Sequence, residues 1–309
     1  MTQTPTLLVC TAKDQDDWRR AVSALLPEAI VRTGIDAPPC DYVIVWKPPA
    51  ELFAAQTRLK AIFSLGAGVD GLLAMPALPA DVPLVRMEDG GMAPQMIEYA
   101  LYVALRRLRR FGDYERSQAQ ASWSPRPARP RGDLRIGVLG LGVLGGEVAR
   151  ALAQFGFRVS GWSRTPKSIQ HVACESGDAG LTRMLAHSEV LLVFLPSTPA
   201  TQGLIGRDFL RMLPAGACIA NLSRGEILDE AALLAALDDG RIDEAHLDVF
   251  AHEPLPPAHP LWRHARVRVT PHIAALTDPV IAAEQVVGKI RRLQAGLPIT
   301  GVVDRRQRY

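Results

Sequence analysis

Short apolar runs separated by longer polar or Ala-rich stretches organise this chain. Ahead of residue 90 the apolar runs fall at 6–10, 41–46, 61–66 and 83–87. Runs of this length, bounded by turn residues, predict strands. The stretches between them fit crossover helices, and that alternation predicts a parallel sheet. A long helical pattern then covers 94–121. It closes into Trp123-Ser124-Pro125-Arg126-Pro127-Ala128-Arg129-Pro130-Arg131, a linker too rich in proline for regular structure.

Beyond the linker the alternation restarts more strongly. Strands are predicted at 135–140, 158–163, 189–196, 217–223, 245–250 and 267–272, with helices such as 143–155 and 229–239 between them. Six strands with intervening helices match a doubly wound nucleotide-binding domain. The final helical stretch, 278–295, has no strand of the second sheet left to serve, so it is expected to return to the first domain. The predicted class is α/β, two Rossmann-like/flavodoxin-like parallel-sheet domains separated by a cleft. Residues 1–98 and 278–309 would form a substrate-binding domain, and 99–277 an NAD(P)-binding one.

Composition narrows the function classes. With 309 residues, 48% apolar and 22% charged, the chain is long enough for two cored domains of ordinary globular make-up. A net charge of +3 demands neither nucleic acid nor an anionic membrane. The basic cluster Arg106, Arg107, Arg109 and Arg110 lacks interleaved aromatics and reads as a solvated helix face or the polar rim of a subunit interface. Four cysteines, Cys10, Cys40, Cys174 and Cys218, form no Cys-x-x-Cys pair and have no His at zinc-site spacing. They read as buried free thiols in a reducing compartment, with no metal expected. Neither a signal peptide nor a membrane-length apolar run is visible, so a cytoplasmic protein is expected.

The strand at 135–140 runs into Gly140-Leu141-Gly142-Val143-Leu144-Gly145. In such a loop the first glycine permits the turn, the second lets backbone approach a pyrophosphate, and the third lets helix and strand pack closely. The phosphates then meet the N–H groups at the helix start, around Val143 and Leu144. At the end of the following strand a ribose-binding acid is expected, but Ser163 stands there, beside Arg164 and with Lys167 near. Ser163 cannot repel a 2′-phosphate, and the two cations can pair with one. NADP(H) is therefore the preferred cofactor, with NAD(H) possible if Arg164 is merely a solvated charge.

Ligands of doubly wound sheets bind outside the carboxyl ends of the strands. Arg224, Glu253 and His272 each sit just past one predicted strand. Together beside a nicotinamide they suit reduction of a 2-keto acid. Arg224 would bind and polarise the substrate, and His272 would protonate its oxygen as general acid. Glu253, paired with His272, would favour the protonated imidazole near neutral pH.

On these residues the chain resembles the D-isomer-specific 2-hydroxyacid dehydrogenases. The glycine loop, Leu195-Pro196-Ser197-Thr198-Pro199-Ala200-Thr201, Asn221-Leu222-Ser223-Arg224-Gly225, 247–254 and 270–274 carry the resemblance, with Gly66-Ala67-Gly68-Val69-Asp70. They follow the family's order across nearly the whole chain. The resemblance implies Arg224, Glu253 and His272 as the catalytic set and Asp248 as a contact to the nicotinamide. It places Leu195, Pro196, Thr201 and Ala274 at the cofactor, and the backbone N–H groups of Ala67 and Gly68 on the substrate carboxylate. The D configuration of chiral products and a homodimer built on the helix around 98–123 come from the resemblance alone.

Within the family it is most similar to the bacterial glyoxylate/hydroxypyruvate reductases of the A type. Asp41–Trp46, Glu88-Asp89-Gly90-Gly91-Met92, Trp162-Ser163-Arg164-Thr165 and Pro260-Leu261-Trp262 carry that similarity. That branch prefers NADPH, and its substrates, glyoxylate and hydroxypyruvate, give glycolate and D-glycerate. Trp46 and Met92 would then face substrate, although Trp46 also fits ordinary core packing. The alternatives are a dehydrogenase for a different acid, or a non-catalytic dinucleotide-sensing module. Formate oxidation is disfavoured because that branch pairs its His with Gln, where Glu253 stands here.

Overall fold

The computed structural model describes residues 4–309. It divides into two compact units, one reaching to Met92 and resuming at Leu276, the other spanning Ala93–Ala275.

The first unit carries β1 (Thr6–Thr11), α1 (Gln15–Leu25), β2 (Ile30–Thr33), β3 (Tyr42–Trp46), α2 (Leu52–Ala55), β4 (Ala61–Ser64), α3 (Asp70–Leu73) and β5 (Leu84–Val85). Its sheet runs β2-β1-β3-β4-β5, all parallel. This is the flavodoxin-like order. Leu7, Leu8 and Val9 of β1 and Val43, Ile44 and Val45 of β3 are fully buried. Helices covering both faces of a parallel sheet require such unbroken apolar runs. Strand β2, Ile-Val-Arg-Thr, has no such run because it lies at the edge and is largely accessible. Apolar patterning therefore missed it.

The second unit begins with α4 (Met92–Arg109) and α5 (Phe111–Ala119). The single helix predicted over 94–121 is thus two helices, broken where Arg110 takes a left-handed φ of 56°. The break folds Glu115 back onto Arg106, whose guanidinium meets both carboxylate oxygens at 2.5 and 2.6 Å. In one continuous helix those residues would stand about 13 Å apart along the axis. Arg106 is only 5% exposed. It is not part of a solvated helix face, because Glu115 and Glu244 satisfy its charge inside the fold. Arg107 is half-buried on Asp243, and Arg109 and Arg110 are exposed.

Then follow β6 (Arg135–Leu139), α6 (Val143–Gln154), β7 (Arg158–Trp162), β8 (Ala173–Glu175), α7 (Gly177–His187), β9 (Val190–Val193), α8 (Arg207–Met212), β10 (Ala217–Asn221), α9 (Glu230–Asp238), β11 (Ile242–Leu247) and β12 (Val267–Val269). They make a seven-stranded parallel sheet in the order β12-β11-β10-β9-β6-β7-β8. The six predicted strands are present. The seventh, β8, is a three-residue edge strand with no fully buried residue, too short to register as an apolar run. The order reverses between β6 and β9, the switch point of a doubly wound fold.

Helix α10 (Pro279–Gln294) belongs to the first unit. Asp278 caps it by accepting from the N–H groups of Val280 and Ile281, and Pro279 occupies the first turn. Its buried face carries Ala282, Ala283, Val286, Val287 and Ile290. Among the described residues no helix is long and apolar enough to cross a membrane.

Asp41, at the foot of β3, ties that strand to β1. Its carboxylate accepts from the N–H and hydroxyl of Thr6 at 2.9 and 2.7 Å and pairs with Lys60 at 3.0 Å. Burial raises the Asp41 pKa, but these donors outweigh it and bring the group down to about 2. A pKa depressed in the folded state adds stability above the unfolded value, and that stability is lost as pH falls through the folded one. The window here is about pH 4 to 2. The shift corresponds to about 2 kcal/mol at neutral pH. Asp41→Asn should lower the melting temperature by roughly 5 °C at pH 7. Thermal scans should show the gap to the wild type closing as pH falls from 4 toward 2.

Candidate active site

The loop leaving β6 is shaped by its glycines. Gly140 has a φ of 109°, and a Cβ there would lie 2.8 Å from the Phe194 carbonyl oxygen. A Cβ on Gly145, in the first turn of α6, would lie 2.0 Å from the Gly140 oxygen. Gly142 differs, because a Cβ there would meet no protein atom within 4 Å and its φ of −72° suits any residue. The protein's own packing does not demand glycine at 142, and the open space there leaves room for a ligand against the backbone. The residues therefore fit a dinucleotide whose pyrophosphate rests on the start of α6, where Val143 is exposed and Leu144 half-buried. Next to β6 in the sheet, β9 leads into 195–201. There Leu195 is buried, and the Thr201 hydroxyl donates to the Pro196 carbonyl at 2.6 Å and accepts from the Thr198 N–H at 2.9 Å.

At the end of β7, Ser163 is 9% exposed and its hydroxyl donates to the Thr165 carbonyl at 2.7 Å. Arg164 and Lys167 are exposed. The nearest acid across the strand pair, Glu175, is opposite Trp162 and is paired with Arg183 at 2.6 Å.

The sheet brings Arg224, Glu253 and His272 to the carboxyl ends of β10, β11 and β12, three neighbouring strands. His272 Nδ1 lies 2.8 Å from Glu253 Oε2, while Glu253 Oε1 accepts from the Phe250 N–H at 3.1 Å. This bond sets the tautomer and leaves Nε2 as the ring nitrogen that Glu253 does not engage. Arg224 is half-buried, with Nη1 donating to the Ser223 carbonyl at 2.8 Å.

Asp248 is 1% exposed. Its Oδ1 accepts from the Thr270 hydroxyl at 2.6 Å and the Ile273 N–H at 2.9 Å, and its Oδ2 from the Ala274 N–H at 2.8 Å. Its backbone carbonyl accepts from the His272 N–H at 2.8 Å. The residue read as a nicotinamide contact is thus also the anchor of the loop that presents His272. That loop needs an anchor, because His272 sits at a left-handed φ of 56°.

Sequence reasoning passed over several residues that build these loops. Asn221, fully buried, accepts from the N–H and hydroxyl of Ser223 and donates to the Arg224 carbonyl at 2.8 Å. A Cβ on Gly225 would lie 1.8 Å from the Phe250 carbonyl carbon, so the loops after β10 and β11 touch backbone to backbone. Tyr99 on α4 meets the Thr270 hydroxyl at 2.9 Å, and burial pushes its phenol up to about 12. An Asn and a Gly flanking Arg224 were visible signals; Tyr99 left none.

In the first unit, Trp46 ends β3 at 37% exposure and is not core. Its indole lies across Gly66, where a Cβ would come within 2.2 Å of the ring. In the turn after β4, Ala67 and Gly68 are half-buried, and their N–H groups make no hydrogen bond to any described residue. Met92 is buried, its sulfur 3.8 Å from the Thr277 hydroxyl.

The sequence profile of the D-isomer specific 2-hydroxyacid dehydrogenase NAD binding domain matches residues 101–274. The chain is 47% identical over 296 residues to glyoxylate/hydroxypyruvate reductase A of Serratia proteamaculans, covering 94% of this chain and 95% of that protein. A D-isomer specific 2-hydroxyacid dehydrogenase from Xanthobacter autotrophicus, solved with NADPH and MES, superposes with a TM-score of 0.95 at 43% identity, covering 99% of this chain and 100% of that one. The NADPH-dependent glyoxylate/hydroxypyruvate reductase of Sinorhizobium meliloti, solved with NADP and sulfate, gives 0.92 at 34% identity, with coverage of 99% and 100%. The chain belongs to the D-isomer-specific 2-hydroxyacid dehydrogenase family.

Proposed function

We propose that this protein reduces small 2-keto acids, glyoxylate and hydroxypyruvate foremost, to glycolate and D-glycerate with NADPH. The observation that carries the reading is the His272–Glu253 pair at 2.8 Å, held at the carboxyl edge of the sheet that bears the glycine loop. The names of the similar reductases support the substrates, and NADPH or NADP in the structures from Xanthobacter and Sinorhizobium supports the cofactor.

A nicotinamide bound here supplies the hydride that adds to the keto carbon. His272 donates a proton from Nε2 to the keto oxygen as charge builds there. Glu253, bonded to Nδ1, keeps the ring oriented and stabilises its protonated form. Arg224 binds the substrate and polarises its carbonyl. In the first unit, the N–H groups of Ala67 and Gly68 suit a substrate carboxylate, and Trp46 the rest of a small acid. On the cofactor side, the assignment covers Gly140, Gly142, Val143, Leu144, Gly145, Leu195, Pro196, Thr201, Asp248 and Ala274. Ser163 leaves no carboxylate against a 2′-phosphate, and Arg164 and Lys167 supply the cations for it. A cytoplasmic homodimer associating through α4 and α5 completes the reading.

Absorbance at 340 nm, followed across a panel of 2-keto acids with NADPH and then NADH, tests the assignment. Glyoxylate and hydroxypyruvate should be turned over with a lower KM for NADPH. Inertness toward every acid would leave only a dinucleotide-binding module, and preference for NADH would remove the role of Arg164 and Lys167. His272→Ala should lower kcat by a factor on the order of 10² or more. Undiminished turnover in that variant would exclude His272 as the acid.

A further inference from the structure

Beneath α4, on one face of the second sheet, three chemically assorted side chains converge away from the reductase loops. Cys218 on β10 is in register with Glu244 on β11, and His246 follows two residues on, so it projects to the same face. Cys218 and His246 are fully buried and Glu244 is 8% exposed. One thiol, one imidazole and one carboxylate ligand atom lie within 4.8 Å of one another.

His246 is the anomaly. Neither of its ring nitrogens makes a hydrogen bond, although Nε2 stands 3.4 Å from Glu244 Oε2. A buried polar atom without a hydrogen bond is costly, and such atoms are rare enough to require a reason. Arg106 occupies the other carboxylate oxygen, Oε1, at 2.8 Å and is itself held in a two-bond clasp by Glu115. Arg268 joins the same group, 3.1 Å from Glu115 and 3.6 Å from Glu244 Oε1, which leaves Glu244 Oε2 to face the imidazole. Tyr102, four residues before Arg106 on α4, sets its ring edge-on to His246 at 5.6 Å and is 48% exposed.

We infer that Cys218, Glu244 and His246 form a binding site for a divalent cation of the zinc class. Sulfur, nitrogen and oxygen donors together suit Zn²⁺ or Co²⁺ and exclude Mg²⁺ and Ca²⁺, which take oxygen ligands. Tetrahedral bonds to these donors need ligand atoms about 3.3–3.6 Å apart, within reach by side-chain shifts of about 1 Å. Binding exchanges one dication for the Cys218 thiol proton, which leaves to solvent, with no change of oxidation state. The cation would clamp β10 to β11, the strands that lead to Arg224 and to Asp248 and Glu253. Its role is structural, and it takes no part in the reduction proposed above.

The test uses the full-length protein, stripped with a chelator and then given one equivalent of Co²⁺. One ion per chain should be retained through dialysis, with an intense near-ultraviolet thiolate-to-cobalt band. Cys218→Ser should lose the band, and His246→Ala should lose retention. Zn²⁺ at a hundredfold excess over its Kd should raise the wild-type melting temperature by roughly 5 °C and leave Cys218→Ser unmoved. Absence of the thiolate band in the wild type would overturn the assignment, whatever the variants do. An unchanged band in Cys218→Ser would overturn it equally, by placing the metal on another cysteine.

Discussion

The buried Asp248 carboxylate is the interaction on which the reactive edge of the second sheet depends. A carboxylate shut away from water is costly unless its oxygens find donors, and here three donors come from one loop, 270–274. The exchange is mutual. Asp248 gains its hydrogen bonds, and the loop gains a fixed point that holds His272 in a backbone conformation unfavourable for a non-glycine residue. Tyr99 extends the network to α4 through Thr270. The orientation of one imidazole is thereby set by groups spread across much of the second unit's chain.

The loops carrying Arg224 and Glu253 are placed by close approach as much as by hydrogen bonds. Gly225 lies so near Phe250 that any side chain would collide with backbone, which cannot move aside as a flexible side chain could. Asn221 fixes the other flank of Arg224. In the glycine loop, Gly140 and Gly145 answer to the protein's own packing, whereas a side chain at Gly142 would meet only open space.

Much of this was legible in the chain. The long apolar runs identified the central strands, because a strand covered on both faces cannot carry polar residues. The placement of the glycine loop after β6, and of Arg224, Glu253 and His272 past β10, β11 and β12, was legible because each is set by its position relative to a strand. Edge strands β2 and β8 escaped, since these two bury little and carry no long apolar run. The break at Arg110 escaped as well, because the Arg106–Glu115 pairing that accompanies it is a contact linear periodicity does not register.

The amino-acid sequence by itself determined the α/β class, the switch-point cofactor loop, the lack of a ribose-binding acid and the candidate trio. Each rests on local residue type at a position relative to a strand, which is short-range information. Only the tertiary structure decided that Arg106 is buried in an ion-pair network, that Asp248 anchors the His272 loop, and that Cys218 meets Glu244 and His246. Those contacts join residues 9 to 138 positions apart. They exist because parallel crossovers return the chain to the same sheet, side by side, after each intervening helix. Spacing along the chain carries no trace of which side chains that return will bring together.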